Sequence, residues 1–196
     1  MKYIAKTTIL LLALAFLSGC AVSHTYGPYK GKVVDAETKE PIEGAVLLMK
    51  FTTRAPNPGG ATASFADAKE VLTDQNGEFF LEHTVTTLRP GQHWGPWPTT
   101  IIYKPGYGAF PWKGTSITPE PDWSGISENI YSIIKLPKLH TKNERHEALD
   151  KAAPDSDVPY EKCKKTLEYV NQERVYLGLS PYKIPRIPWN KKSKGE

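Results

Sequence analysis

Cysteine is scarce in this 196-residue chain: two residues, Cys20 and Cys163, cannot make a disulfide-rich scaffold. Long apolar runs are missing as well. The most apolar stretch, Ile9 to Leu17, covers nine residues, against the roughly 20 that a membrane-spanning helix needs. Charge of one sign is also lacking. Against 25 Lys and Arg stand 21 Asp and Glu, a net charge of +4, which gives no reason to expect a nucleic-acid partner. Catalytic signatures are equally thin. The five histidines are His24, His83, His93, His140 and His146, and three positions after them stand Gly27, Thr86, Pro96, Asn143 and Leu149. No His-x-x-Glu or His-Glu-x-x-His pair therefore exists to hold a catalytic zinc. Gly-x-Ser-x-Gly, phosphate-loop and dinucleotide motifs are absent too. No catalytic or metal-ligating residue can be named, and the expectation is a protein that is not an enzyme.

What the chain does have is punctuation and an address. Seventeen prolines and fifteen glycines make about one residue in six, which excludes a long helical bundle without reaching the bias of a disordered chain. At the N-terminus, Lys2 and Lys6 precede the nine-residue apolar run, which ends in Leu17-Ser18-Gly19-Cys20. Basic start, short apolar core and small residues at its end form a signal segment. The four-residue end resembles the lipobox of bacterial lipoproteins. That resemblance implies cleavage before Cys20 and a diacylglycerol thioether with acyl chains on Cys20, the one covalent group expected and the only cofactor-like one. Residues 1–19 would be the signal peptide and 20–27 a lipidated tether. Ala21, where an aspartate would retain a lipoprotein in the inner membrane, implies an outer-membrane anchor on the periplasmic face. The alternative is an ordinary secretory signal cut near Ala21-Val22-Ser23. With Cys20 lipidated, Cys163 is either buried in a helix face or paired with another chain.

The next hundred residues read as short strands separated by turn chemistry. Lys30 to Ala36, Ala45 to Phe51, Lys69 to Thr73, Glu78 to Thr84, Thr99 to Tyr103 and Ile126 to Leu136 carry apolar residues at strand spacing. The second of these places Ala45, Leu47, Met49 and Phe51 on one face and Val46 and Leu48 on the other, so it is expected to be covered on both sides. Asp74-Gln75-Asn76-Gly77 reads as a hairpin turn rather than the start of a calcium loop, because Phe79, Phe80 and Leu81 stand where further acidic ligands would be needed. Residues 54–67 read as a loop. Six strands without helical crossovers predict a mainly β protein, an antiparallel β-sandwich. Reversal of successive strands then puts residues 54–67 and 85–98 at one end and 105–125 at the other.

Four blocks sharpen this reading: Gly31-Lys32-Val33-Val34-Asp35, Pro41-Ile42-Glu43-Gly44-Ala45-Val46, Thr73-Asp74-Gln75-Asn76-Gly77-Glu78-Phe79 and Lys104-Pro105-Gly106-Tyr107. In this order they resemble the carboxypeptidase regulatory-like domain, a transthyretin-like (prealbumin-like) sandwich. The resemblance covers residues 28–138 and implies a structural or interaction module. The chain departs from that pattern in long segments at 54–67 and 108–125, which leave strand pairing in the second half open.

Residues 139–179 read as a helical extension. Thr141 to Ala152 is a helix with Thr141 as N-cap and Glu144 as its capping-box partner. Tyr160 to Leu177 carries Tyr160, Cys163, Leu167, Val170 and Leu177 in one narrow stripe, stopped by Gly178 and Pro181. Residues 180–196 form a Pro-rich basic tail. Two functional expectations follow, ahead of a third alternative, an enzyme whose site no motif marks. The first is an anchored structural or interaction module, with the membrane and an envelope protein as partners. The second is a glycan-binding module using the loop tryptophans Trp94 and Trp97 with His93, and Trp112 and Trp123 in the following loop, because exposed indoles stack on sugar rings. These tryptophans could equally cap the ends of a small sandwich.

Overall fold

The computed structural model describes residues 23–86, 91–120 and 125–183. Eight strands and two helices follow one another in these segments: β1 (His24–Asp35), β2 (Val46–Asn57), β3 (Gly60–Leu72), β4 (Glu78–Val85), β5 (His93–Trp94), β6 (Thr99–Tyr103), β7 (Ser116–Thr118), β8 (Tyr131–Leu136), α1 (Lys142–Ala152) and α2 (Lys164–Tyr176). One sheet has the order β4-β1-β8-β7; in the other, β2 pairs with β3 on one side and with β5 and β6 on the other. The two sheets form a β-sandwich with a C-terminal helical part, as the strand pattern predicts.

β2 shows why the sheets pack. Its Leu47, Met49 and Phe51 point into the space between the sheets, where they meet Tyr29, Leu81 and Ile134. Val46 and Leu48 point the other way, against the helical extension. All five side chains are buried, and each such residue contributes roughly 1.5–3 kcal/mol. The helices thus cover the outer face of the β2 sheet. The outer face of the β1 sheet has no such cover among the described residues, and there Phe80 is 61% exposed, Tyr131 45% and Ile133 38%.

Four departures from the sequence expectation stand out. Residues 54–67 are not a loop. β2 and β3 continue as a long hairpin whose last pair is Asn57 with Gly60. Its small, exposed side chains give no hydrophobic alternation to read. β1 starts at His24, inside the segment expected as tether, and a bulge between Tyr26 and Tyr29 lets the chain pass Gly27-Pro28 and still pair with β4. The pairing of β1 with β8 is parallel, Lys30 opposite Tyr131 through Asp35 opposite Leu136. A parallel neighbour needs a long crossover, and here strands β2 to β7, most of them in the second sheet, supply it instead of a helix. Strand β8 also begins five residues later than expected, so Ile134 and Leu136 fill the core while Ile130 is exposed.

The helical ends follow the sequence closely. Thr141 and Glu144 form the capping box, with the Thr141 Oγ1 accepting from the Glu144 N–H at 3.2 Å and the Glu144 carboxylate accepting from the Thr141 N–H at 2.9 Å. A single 3-10 turn, Tyr160–Lys162, leads into α2. The last turn of α2 closes as a Schellman motif, the Leu179 N–H donating to the Arg174 carbonyl and the Gly178 N–H to that of Val175.

Candidate functional site

Most of the charged clusters in the described residues are staples between elements. The Glu70 carboxylate of β3 accepts from the backbone N–H groups of Lys165 and Thr166 and from the Thr166 hydroxyl, at 3.0, 2.7 and 2.6 Å. It acts as an N-cap supplied from another element, where a carboxylate is favoured by the helix dipole. Asp155 and Asp157, a pair with no cage in the sequence, both hold Lys50 of β2 at 2.7 Å. Asp67 of β3 joins His83 of β4 at 2.8 Å and Lys162 at 2.9 Å, so one carboxylate ties the edges of both sheets to the helical part. Burial alone would raise the Asp67 carboxyl; the hydrogen bonds from Lys162, His83 and the Ala68 N–H outweigh it and hold the group below the usual aspartate range. Among the described residues, no three His, Cys, Asp or Glu side chains are grouped so as to hold a metal ion.

Cys163 is buried at the N-cap of α2, its Sγ 3.4 Å from the Pro159 carbonyl oxygen. Burial, with the nearby Glu70 carboxylate second, pushes the thiol up to about 12. The thiolate is the reacting form. Cys163 is therefore expected to stay unlabelled by an aromatic disulfide reagent at pH 8 in the folded Cys20→Ser chain and to react fully in denaturant. Fast labelling without denaturant would show that the start of α2 opens.

The aromatic residues singled out in the sequence separate into two ends of the sandwich. Trp94 stacks on His24 at the start of β1, ring centroids 5.7 Å apart, and its side chain packs against the core. His93 pairs with Arg54 along β2 and is exposed. Trp112 lies at the opposite end, against Gly108, whose N–H donates to the Pro137 carbonyl just after β8. Trp123 falls outside the described residues.

Trp97 is different. It is 52% exposed and, with Tyr29, Pro96, Ser127 and Glu128, lines an open cavity of about 180 Å³. Both walls of the cavity are pinned by hydrogen bonds. On one side the Gly95 N–H donates to the Thr52 carbonyl at 2.7 Å and the Tyr26 hydroxyl donates to the Gly95 carbonyl at 3.0 Å, fixing the chain two residues before Trp97. On the other, Glu128 Oε1 accepts from the Tyr29 hydroxyl at 2.8 Å and from the Gly27 N–H at 3.0 Å, while the Asn129 N–H donates to the Pro28 carbonyl. The β1 bulge is what turns Gly27 toward Glu128. Burial, together with the Glu128 bond and charge, pushes the Tyr29 phenol far up, so it is a permanent donor. Ser127, Glu128 and Tyr29 were not singled out from the sequence. They come together with Trp97 because β8 runs parallel to β1, a pairing no local pattern announces.

No family model matches the chain, and neither a curated protein nor a solved structure matches it. Among the described residues no helix is long and apolar enough to cross a membrane.

Proposed function

We propose that this protein is a membrane-anchored envelope lipoprotein whose β-sandwich, of the carboxypeptidase regulatory-like kind, is a non-enzymatic interaction module. The anchor rests on the basic start, apolar run and Leu17-Ser18-Gly19-Cys20 box. The observation that carries the interaction reading is the inequality of the two outer faces. One is sealed by α1 and α2; the other presents Phe80, Tyr131 and Ile133 around Lys30 and Lys32, which they flank in register. Exposed aromatic and aliphatic side chains grouped on one sheet face are the usual core of a protein interface. The envelope protein that docks there would meet a domain held close to the bilayer. Only residues 21–23 separate Cys20 from β1, and three residues reach roughly 10 Å at full extension.

The test compares the full chain with its Cys20→Ser variant, each carrying a photo-crosslinking residue at position 80. The intact chain is expected in the membrane fraction with one crosslinked envelope protein, and Cys20→Ser in the soluble fraction. Ile133→Glu is expected to abolish the crosslink without releasing the chain from the membrane. Identical fractionation of the intact and Cys20→Ser chains overturns the anchor, and a crosslink indifferent to Ile133→Glu overturns the interface.

A further inference from the structure

We infer that the tip of the β2–β3 hairpin, Asn57 to Gly60, rests in the headgroup layer of the membrane that holds the Cys20 lipid. The tip's place there rests on the anchor proposed above and is independent of the exposed face of the β1 sheet. The direction of the strands supports it first. β1 and β2 face each other across the sandwich and run in opposite senses. Trp94, paired with Thr53 of β2, stacks on His24, and two residues further along β1 the Tyr26 ring meets Phe51 at 4.6 Å. The segment that joins Cys20 to His24 therefore enters the sandwich at the same end where β2 goes on from Thr53 to Asn57.

Reach turns this shared end into a contact. From His24 back to Cys20 are four residue steps, at most about 14 Å. From Thr53 to Asn57 are also four, in strand conformation, about 14 Å at about 3.4 Å each. The turn at Pro58 and Gly59 lies further out still. A fully stretched tether thus brings Cys20 only level with the tip, and any shorter path leaves the tip ahead of it. A lipidated Cys20 sits at the membrane surface, where its acyl chains enter. The tip meets that surface with it.

Composition fits a headgroup layer. Residues 54–66 hold no Asp or Glu and one base, Arg54, so anionic headgroups repel nothing on the arm and attract one side chain. Residues 56–64 are all exposed, so this length of the hairpin is spent outside the core. The tip carries no aromatic or long aliphatic side chain, which suits it to the headgroups and not to the hydrocarbon below. Strand pairing continues to Asn57 with Gly60, and Asn57 Oδ1 accepts from the Gly59 N–H at 2.9 Å. Backbone groups that face each other are thus already satisfied where water thins out.

The experiment places the full-length lipidated chain in vesicles of phosphatidylethanolamine and phosphatidylglycerol containing a lipid with a nitroxide headgroup. A thiol-reactive fluorophore is attached at Gly59→Cys or at Gln75→Cys, while Cys163 is buried and its thiol pushed up to about 12. A Cβ at Gly59 meets nothing nearer than the Asn57 side chain at 3.5 Å. Gln75 lies in the exposed turn whose Gly77 carbonyl accepts from the Val33 N–H. The β1 stretch from His24 to Val33 sets that turn roughly 30 Å from the tethered end, so contact quenching at position 59 is expected to be at least about fivefold that at position 75. Equal quenching at the two positions in a chain that floats with the vesicles overturns the membrane contact and leaves the anchor standing. An intact chain that does not float with them, or a Cys20→Ser chain that floats equally well, overturns the anchor and the contact together. Disulfide formation between unlabelled Gly59→Cys chains on the vesicles, with no quenching of the labelled ones, also overturns the contact and assigns the tip to a second copy.

Discussion

Glu173→Ala is expected to lower folding stability by about 3–5 kcal/mol, the largest single-residue effect in the helical part. Glu173 is 2% exposed, and both its oxygens are used. Oε1 accepts from the Arg145 guanidinium at 2.9 Å and Oε2 from the Gly106 N–H at 3.0 Å. The pair therefore joins α2 to α1 and to the turn after β6. Removing the carboxylate leaves the Arg145 guanidinium without its ion-pair partner, although it keeps its place over the Tyr176 ring at 4.3 Å. Urea unfolding followed by circular dichroism measures the loss. The double change Glu173→Leu with Arg145→Met removes both ions at once and is expected to recover most of it. A single-variant loss below about 1 kcal/mol would mean that water reaches the pair, because an exposed ion pair contributes no more than that.

Gly31→Ala is expected to cost about 3 kcal/mol, at the upper end of the usual overpacking range. A Cβ built at Gly31 would lie 2.0 Å from the Ser132 carbonyl oxygen of β8 and 3.0 Å from the Phe79 ring of β4. The first contact is with backbone and cannot be relieved by a rotamer change, so β1 and β8 would have to separate. Gly59→Ala at the hairpin tip, where the nearest group is the Asn57 side chain at 3.5 Å, is the matched control and should stay within about 0.5 kcal/mol of the parent. If the two variants unfold at the same urea concentration, the close approach of β1 to β8 is wrong. This also gives a physical reason for the first of the four sequence blocks. Gly31 is there because another backbone passes over it, and Asp35 because its Oδ1 accepts the N–H groups of Glu37 and Thr38 in the turn that follows. The third block reads the same way. Asp74 Oδ1 accepts from Asn76 and Glu78 while Gly77, at φ +74°, sits with its would-be Cβ 2.5 Å from the Val33 carbonyl oxygen.

The turns in those blocks were legible because their side-chain hydrogen bonds are local. A capping box, a two-sided strand and an Asx turn are each decided within a few residues, so Thr141 with Glu144, Val46 to Phe51 and Asp74 to Glu78 could be placed from the sequence. The extension of the β2–β3 hairpin could not, because Ala55, Ala61, Ala63 and Ser64 stabilise it through backbone pairing that leaves no hydrophobic rhythm. The staples were invisible for a related reason. Glu70 and Lys165, or Lys50 and Asp155, are about a hundred residues apart, and nothing in either segment names the other. The cavity lay between these limits. Trp97 was one of five tryptophans and stood out as loop aromatic chemistry, whereas Glu128 looked like one more surface acid until the parallel pairing set it beside Gly27 and Tyr29.

That parallel pairing also fixes an order of events. β1 is the first strand made, and its neighbour β8 is the last, with paired positions such as Lys30 and Tyr131 about a hundred residues apart. Closing a flexible chain over that distance costs on the order of 4 kcal/mol in entropy, recovered only once the final strand docks. Until β8 docks, β1 has β4 on one side and open hydrogen-bonding groups on the other. Such long-range closure belongs to chains that fold in milliseconds to seconds rather than microseconds. For that interval the partly folded chain carries an unpaired edge at the centre of its future sheet, the kind of surface on which folding intermediates aggregate.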